Sequence, residues 1–136
     1  MTISPTTIAD DILAYGTEDW VSIDEAYGFA QIDSHNSRLD IGEAVRQAIH
    51  WLVHQEYVEI GTVKKGFTPW TESLERQLEK IDEFTSMHPT ELMEPSYEFW
   101  LNLTDSGEAQ GMVKRALPRY QWNDSDPENP FKTRND

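Results

Sequence analysis

The stretch that decides the fold is residues 40–63, DIGEAVRQAIHWLVHQEYVEIGTV. In its first two thirds, apolar residues recur at alternating three- and four-residue steps, which predicts one buried stripe on a helix. Asp40 stands at the N-cap position and Glu43 follows three residues later, as in a capping box. Residues 57–63 then alternate every second position, which predicts a strand. A core helix is therefore expected to run directly into a strand, with residues 64–66 as the turn behind it.

Length and composition limit the classes of protein to which the chain can belong. The 136 residues suffice for one domain, which we place at residues 1–117, and the polar, aperiodic residues 118–136 predict an extended tail. The chain has no cysteine, which excludes disulfides, thiol catalysis and thiolate metal sites. No apolar run reaches the ~18 residues of a membrane span, and the N-terminal residues lack signal-peptide character. We therefore expect a cytoplasmic protein.

Charge is the most informative bulk property. The chain carries 25 acidic and 11 basic residues, a net charge of -14. Residues 1–36 contain seven acids and no Lys or Arg, and residues 67–101 contain eight acids against two bases. Such a field repels nucleic-acid phosphates and membrane surfaces and attracts basic partners. High acidity also keeps a small protein soluble and monomeric, so charge alone leaves both interpretations open.

Cap signals place helices on both sides of the central stretch. Ser22 and Glu25 form a second capping-box pattern, which opens the helix before it. Thr71 is expected to cap a fourth helix, and Thr104 is expected to cap a last one over residues 105–116. The inner side of the last helix is predicted from its apolar spacing. This side consists of Ala109, Met112, Val113 and Leu117.

One further strand is expected. Residues 97–103 are aromatic-rich and partly alternating, which favours a strand. Residues 66–70 are expected to form an irregular loop, because Pro69 restricts the residue before it to extended conformations. The order of elements is then α-α-α-β-(α insertion)-β-α. This is a mainly α, α+β fold with a small two-stranded antiparallel hairpin.

Two of these segments together resemble a winged-helix domain. The helix end LVHQEYV, at residues 52–58, is followed later by FWLNLTDSG at residues 99–107. In that superfamily the third helix runs into a two-stranded wing, and the second strand often ends in a Leu-Thr-x-x-Gly step into another helix. The resemblance covers residues 8–117. It implies a winged-helix-like fold, in which DNA binding is a common function.

A narrower resemblance rests on EDWV at residues 18–21, GFTPW at residues 66–70, the Glu-rich helix that follows, and FWLNLTDSG. These motifs are similar to those of a group of small, acidic, largely uncharacterised bacterial proteins. Some small acidic proteins of this style accompany secreted toxins as immunity proteins. The resemblance therefore implies a function of the toxin-immunity type.

The third helix is poorly equipped to read DNA. Helices that do so expose Arg and Lys beside Asn or Gln, to meet phosphates and base edges. This helix offers Arg46 together with Gln47, Gln55 and two histidines. A domain of pI about 4.5 lacks the basic footprint of nucleic-acid binding. Nucleic acid is therefore an unlikely partner, and a transcription regulator is the second hypothesis.

Catalytic and metal-binding patterns are weak. His50 and His54 have the spacing of a two-His metal grip, but the general-base glutamate of HExxH is missing. Adjacent carboxylates such as Asp10 and Asp11 point in different directions, which does not favour acid–base work. The sequence contains no GxSxG motif and no Gly-rich phosphate loop. We therefore expect no enzymatic activity, no cofactor and no metal site.

What remains is a binding surface on two acidic flanks, residues 10–25 and 67–83. Both mix aromatic side chains, which supply burial, with carboxylates, which steer and pair with basic groups. The predicted partner-binding residues are Asp10, Asp11, Glu18, Asp19, Trp20, Asp24, Glu25, Glu72, Glu75 and Glu79. The alternative is that the aromatics belong to the core and that the acids form an ordinary solvated surface.

The leading functional hypothesis is a non-enzymatic immunity or antitoxin-like inhibitor. Such a protein binds a basic toxin, for example a nuclease, and covers its active site by charge-steered docking. Its carboxylates stand in for the phosphates of the toxin's substrate. A DNA-binding transcription regulator is the first alternative, and a small adaptor or structural subunit is the second.

Overall fold

Five helices and a four-stranded antiparallel sheet form the part of the chain that the computed structural model describes, residues 5–32, 40–90 and 98–120. The helices are α1 (Pro5–Gly16), α2 (Ile23–Ile32), α3 (Ile41–His54), α4 (Leu74–Met87) and α5 (Asp105–Arg115). The strands are β1 (Val21–Ser22), β2 (Val58–Val63), β3 (Phe67–Pro69) and β4 (Trp100–Leu103). The predicted α+β class is confirmed.

The strand order in the sheet is β1-β4-β2-β3. The two predicted strands are its central pair, in which Ile60 lies opposite Leu101. β1 has two residues, too few to show an alternating pattern, so the sequence does not reveal it. The prediction of an irregular loop at residues 66–70 is wrong, because residues 67–69 form β3. Pro69 is tolerated there because β3 is an edge strand, where a missing N–H costs little.

The apolar stripe of α3 lies at the centre of the core, as predicted. Its buried residues are Gly42, Ala44, Val45, Ala48, Ile49, Leu52 and Val53. α1, α2 and α4 all pack against α3, and β2 and β4 add Val58, Ile60 and Leu101 to the same core. Asp40 occupies the predicted N-cap position, but its side chain makes no capping hydrogen bond.

α3 passes into β2 through a Schellman motif centred on Glu56. The Glu56 N–H donates to the Val53 carbonyl and the Tyr57 N–H donates to the Leu52 carbonyl, both at 3.0 Å. Glu56 has a φ of 61°, a left-handed conformation that is costly for a residue with a Cβ. The turn also presents the Glu56 carbonyl to Thr104, whose hydroxyl donates to it at 2.6 Å. This junction therefore fixes the start of β2 and the cap of α5 together.

α4 is anchored to α2 and α3 beyond its C-terminus and to α3 at its middle. Beyond its C-terminus, the Tyr27 hydroxyl donates to the His88 carbonyl at 2.6 Å, and the Gly42 N–H donates to the Pro89 carbonyl at 2.9 Å. Burial raises the pKa of Tyr27, so its hydroxyl stays protonated and remains a donor. Midway along α4, Asp82 accepts a hydrogen bond from α3. These contacts hold α4 along one side of α3.

Two of the four predicted side-chain caps are confirmed. The Ser22 and Glu25 side chains exchange capping bonds with each other's N–H groups, at 3.1 and 3.2 Å. Thr104 accepts from the Gly107 N–H at 3.1 Å. α4 is capped by Ser73 and not by Thr71. The helix begins at Leu74, later than predicted, and the N–H of residue 70, just after β3, donates to the Ile60 carbonyl.

The predicted inner side of α5 is wrong. Met112, Val113 and Leu117 are 56%, 61% and 40% exposed, and Ala109 is exposed as well. α5 instead buries Gly107 and Gly111. A Cβ at Gly107 would overlap the Tyr57 carbonyl oxygen, and one at Gly111 would overlap the Leu13 carbonyl oxygen. Close backbone contact with α1 and with the start of β2 therefore decides the orientation of the helix, against its apolar spacing.

The described chain continues past the predicted domain boundary at residue 117. A 3-10 turn at Pro118–Tyr120 places the Tyr120 hydroxyl 2.6 Å from Asp11, to which it donates a hydrogen bond. The predicted extended tail otherwise falls on residues 121–136, outside the described part. Within the described ranges, no helix has both the length and the apolar character needed to cross a bilayer.

Substituting the buried glycines of α5 tests its orientation. Gly107→Ala and Gly111→Ala should each lower the free energy of unfolding by about 1–3 kcal/mol, because a backbone carbonyl has to move away from the new methyl group. The matched control is Gly28→Ala in α2, where a Cβ meets nothing within 4 Å. It should raise the free energy of unfolding by about 1 kcal/mol. Urea denaturation measures all three, and equal effects would contradict the assigned orientation.

Relieving the left-handed residue tests the junction between α3 and β2. Glu56→Gly should raise the free energy of unfolding by about 1 kcal/mol, because glycine adopts a positive φ without steric cost. Glu56→Ala serves as the control, since it removes the carboxylate but keeps the Cβ. If the alanine variant is stabilised as much as the glycine variant, the gain comes from charge and not from the backbone.

Candidate functional site

The loop between α1 and β1, residues 17–20, borders an open cavity of about 300 Å³, here named the acidic cleft. Its lining residues are Gly16, Thr17, Glu18, Asp19, Trp20, Asn102, Leu103 and Glu108. The Thr17 hydroxyl donates to the Ala14 carbonyl at 2.9 Å. The Glu18 N–H donates to the Tyr15 carbonyl at 3.1 Å. These bonds fold the loop back onto the end of α1 and fix one wall of the cleft.

The charges of the acidic cleft are unevenly compensated. Arg115 reaches from α5 to Glu18 at 2.6 Å and also donates to the Thr17 hydroxyl at 3.0 Å. Asp19 is exposed and accepts the Trp20 N–H at 2.8 Å. Glu108 is exposed on the first turn of α5, where the positive end of the helix dipole favours an acid. The cleft is therefore negative, and its carboxylates are open to water.

The face of the sheet that points away from the core lies next to the cleft. Val58 and Ile60 are buried, so the alternate residues of β2, Glu59 and Gly61, lie on the other face. Their partners on β4 are Asn102 and Trp100. We name this face, with the aromatic rings above it, the outer sheet surface. It comprises Trp20, Glu59, Phe67, Trp100 and Asn102.

Gly61 makes room for the aromatic rings of the outer sheet surface. A Cβ at this position would lie 2.6 Å from Cζ of Phe67, so the Phe67 ring rests directly on the glycine backbone. The Trp20 ring stacks against Phe67 with centroids 6.3 Å apart. Trp20, Phe67 and Trp100 are each half-buried, so each keeps part of its ring accessible. An aromatic surface of this kind is suited to burial under a partner.

The acidic cleft and the outer sheet surface are continuous, because Trp20 and Asn102 belong to both. The Asn102 side-chain amide donates to a Glu59 carboxylate oxygen at 2.9 Å, which orients that carboxylate. Four carboxylates therefore border the aromatic rings, namely Glu18, Asp19, Glu59 and Glu108. The arrangement combines apolar area with groups that accept hydrogen bonds from Arg and Lys.

Three predicted residues, Glu18, Asp19 and Trp20, are brought together at the cleft. The other acids of residues 10–25 are at least half-buried and make contacts within the chain. Asp10 pairs with Lys114 at 3.2 Å, Asp11 is 4% exposed and binds Tyr120, and Glu25 belongs to the cap of α2. Asp24 lies beside that cap on the first turn of α2.

The predicted acids of residues 67–83 lie on the exposed side of α4 and just before it. Glu72 pairs with Lys80 at 2.5 Å and Glu79 lies 3.5 Å from Arg76, while Glu75 is exposed. The hydrogen bond from Lys80 lowers the pKa of Glu72. Glu72 and Glu79 thus each contact a basic residue of α4.

Trp70 belongs with the core and not with the exposed acids. Its ring packs edge-on against Phe99 at 5.4 Å, and its indole N–H donates to the Thr62 hydroxyl at 3.2 Å. Lys80 Nζ lies 4.1 Å from the ring centroid. The interpretation of this tryptophan as a core residue therefore describes its position better than a role as a binding anchor.

The two histidines of α3, His50 and His54, have different surroundings. The His50 ring lies 2.6 Å from Asp82 of α4, and the His54 ring is 6.2 Å from the His50 ring. Across residues 5–32, 40–90 and 98–120, no group of three or more His, Cys, Asp or Glu side chains is placed to hold a metal ion. The contact of His50 with Asp82 links α3 to α4.

Sequence reasoning missed Glu59, Trp100, Asn102 and Glu108 as parts of this surface. The alternation in residues 57–63 places Glu59 opposite to the buried residues, so one signal was present. Trp100 and Asn102 require the pairing of β4 with β1 and β2, and Glu108 requires the packing of α5 on the start of β2, and local pattern gives neither. Comparison of the chain with protein-family models, with curated proteins and with solved structures found no match.

The link between Lys80 and Glu72 can be tested by titration. Lys80→Met should raise the pKa of Glu72 towards its ordinary value, because the variant removes the ammonium group that favours the ionised carboxylate. Side-chain carboxyl NMR shifts followed against pH measure this change. Lys114→Met, which removes a lysine paired elsewhere, should leave the Glu72 titration unchanged. No difference between the two variants would contradict the assigned contact.

Proposed function

We propose that this protein is a non-enzymatic immunity or antitoxin-like inhibitor that neutralises a basic toxin by covering its active site. The observation that carries the proposal is the continuity of the acidic cleft with the outer sheet surface. There, three half-buried aromatic rings lie beside four carboxylates. Aromatic side chains at the centre of an interface supply burial, and carboxylates around them pair with Arg and Lys.

The proposed mechanism uses charge at long and at short range. The net charge of -14 attracts a basic protein and raises the rate of encounter. On contact, Asp19, Glu59 and Glu108 accept hydrogen bonds from the cationic side chains that normally hold the toxin's substrate, a nuclease being the clearest case. Trp20 and Phe67 exclude water around these ion pairs, which strengthens them.

We also propose that the fold is a variant of the winged helix. In support, α3 runs directly into β2, and β2 pairs with β3 in a tight hairpin closed by residues 64–66. The wing expected from residues 57–63 and 97–103 is thus replaced by one made of β2 and β3. α4 is then a segment inserted between this wing and β4.

DNA binding is the second candidate function, because a wing with Lys64 and Lys65 in its turn is suited to phosphate contacts. α3, the helix that would enter the major groove, favours it less. Its His50 ring is bound to Asp82 of α4, and Arg46 lies near an acid one turn away on α3. Since α4 lies along α3 and is itself acidic, it repels DNA at that face.

Charge-neutral substitutions at the proposed site test the function. The chain is co-expressed with the products of neighbouring genes, and a basic protein that co-purifies with it is assayed for activity and affinity. Asp19→Asn, Glu59→Gln and Glu108→Gln combined should weaken binding about 100-fold or more, because three buried charge pairs are lost. Inhibition of the partner's activity should be lost in parallel. Higher salt should slow association of the unmodified proteins.

The matched control removes the same number of negative charges at acids that lie outside the proposed site. Glu72→Gln, Glu75→Gln and Glu79→Gln combined should weaken binding only about threefold, through reduced steering. Equal losses from both triple variants would contradict the assigned surface. A stoichiometric complex without inhibition would indicate an adaptor subunit. Tight, sequence-selective binding to the upstream DNA in a low-salt gel shift would replace the proposal with the DNA-binding alternative.

A further inference from the structure

The outward face of α5, together with the two residues that follow the helix, carries an exposed apolar stripe. Its members are Ala109, Met112, Val113, Ala116 and Leu117, here named the α5 stripe, and all of them are exposed. They recur at steps of three, one, three and one, which is one face of a helix. The other face of α5, with Gly107 and Gly111, is already occupied by α1 and the start of β2. The helix therefore has two faces suited to close packing, and one of them remains exposed.

We propose that the α5 stripe is a self-association surface, on which two copies of this chain pack their α5 helices antiparallel. The two-fold axis lies between Met112 and Val113, so Met112 of each copy packs against Val113 of the other. Ala109 of one copy then lies opposite Ala116 of the second. Small residues at both ends let the two helices approach closely, while the larger side chains fill the centre.

Charge complementarity of α5 with itself is the reason for choosing a second copy as the occupant. The first turn is acidic, with Asp105 and Glu108, and the last turn is basic, with Lys114 and Arg115. Lys114 is turned towards α1, where it pairs with Asp10 at 3.2 Å, so Arg115 is the basic group left for the second copy. Antiparallel packing places Glu108, at the positive end of one helix dipole, beside Arg115 of the second copy. A parallel pair would instead place like charges together, which costs free energy.

The position of the charged residues around the helix supports the same arrangement. Glu108 and Arg115 are seven residues apart, about two turns, and so lie along the same edge of the α5 stripe. Equivalent edges meet in an antiparallel pair, so Glu108 of one copy comes near Arg115 of the second. The Arg115 guanidinium can donate to this second carboxylate while it holds Glu18, because it carries five N–H donors.

The dimer is expected to be weak and dependent on salt. Five side chains on one short helix bury less than the ~800 Å² per partner of a stable interface. Each copy also carries a net charge of -14, so the two repel each other over long distances. Screening should therefore strengthen self-association, whereas it should weaken the docking of a basic partner. This opposite salt dependence separates the present proposal from the proposed function.

Cysteine cross-linking tests the antiparallel register directly, because the chain contains no cysteine of its own. The Ala109→Cys and Ala116→Cys variants are prepared as full-length chains that carry tags of different size. They are then mixed and oxidised in a glutathione buffer. The mixture should form a disulfide-linked heterodimer, while either variant alone should cross-link several-fold less. Preferential cross-linking of Ala109→Cys with itself would show a parallel pair and overturn the proposal. Equal yields in all three samples would overturn it as well.

Sedimentation equilibrium tests the stripe without covalent capture. The full chain should show a reversible dimer at high concentration, with an association constant that rises on adding salt. Val113→Glu should lower that constant at least tenfold, because it places like charges at the two-fold axis. Met87→Glu, at a 75% exposed apolar residue of α4, should leave it within twofold. A chain that stays monomeric, or equal losses from both variants, would overturn the proposal.

Val113 lines neither the acidic cleft nor the outer sheet surface, so its substitution separates the two proposals. If Val113→Glu abolishes dimerisation but leaves the basic partner bound, both proposals stand. Loss of partner binding in a chain that never dimerises would make the partner the occupant of the α5 stripe, and self-association would be excluded.

Discussion

The register between β2 and β4 determines both the core and the candidate site. Ile60 lies opposite Leu101 and both are buried, so the intervening positions of the two strands must face away from the core. Glu59 and Asn102 are paired on that outer side and are joined by a hydrogen bond. A slip of β4 by one residue would turn Asn102 inward and Leu101 outward, while Glu59 and Ile60 kept their faces. Burial of the core therefore fixes where the proposed binding groups point.

Close backbone contacts at glycines place the remaining parts of the surface. Gly61 lets the Phe67 ring approach the backbone of β2 closely, and Trp20 stacks against that ring. Gly107 lets the first turn of α5 rest on the Tyr57 carbonyl, which brings Glu108 to the edge of the acidic cleft. The same close contact of α5 turns its apolar residues outward. One packing choice therefore explains both an acid in the cleft and an exposed apolar stripe.

Local signals in the sequence were sufficient for the central scaffold. The α3 stripe, the Ser22–Glu25 capping box and the Thr104 cap depend on residues within one or two turns of each other, and all three are found in the structure. The orientation of α5 could not be predicted in this way, because backbone contact at its glycines outweighs the hydrophobicity of the opposite face. Edge strand β3 was missed because Pro69 is unfavourable in a strand except at an edge, and sequence does not say which strand is an edge.

The candidate site was predicted in part for the same reason. Glu18, Asp19 and Trp20 are neighbours in sequence and remain together in the cleft. Asp10 and Asp11 belong to the same acidic block, but they lie on the side of α1 that meets Lys114 and Tyr120, so they bind within the chain. Helical periodicity separates adjacent acids into different surroundings. Charge composition could predict an acidic surface, but only the packing of the helices selects which acids are available.

The most direct test of the central claim is an NMR titration with an arginine-rich peptide, following backbone amides and tryptophan indole N–H signals. We expect the largest shifts at residues 17–20, 59–61, 100–102 and 108, and at the indoles of Trp20 and Trp100. The indole of Trp51, which is exposed on α3, should move little. Equally large shifts along residues 72–83, in and just before α4, would contradict binding at the acidic cleft and the outer sheet surface, because binding would then follow acidity alone.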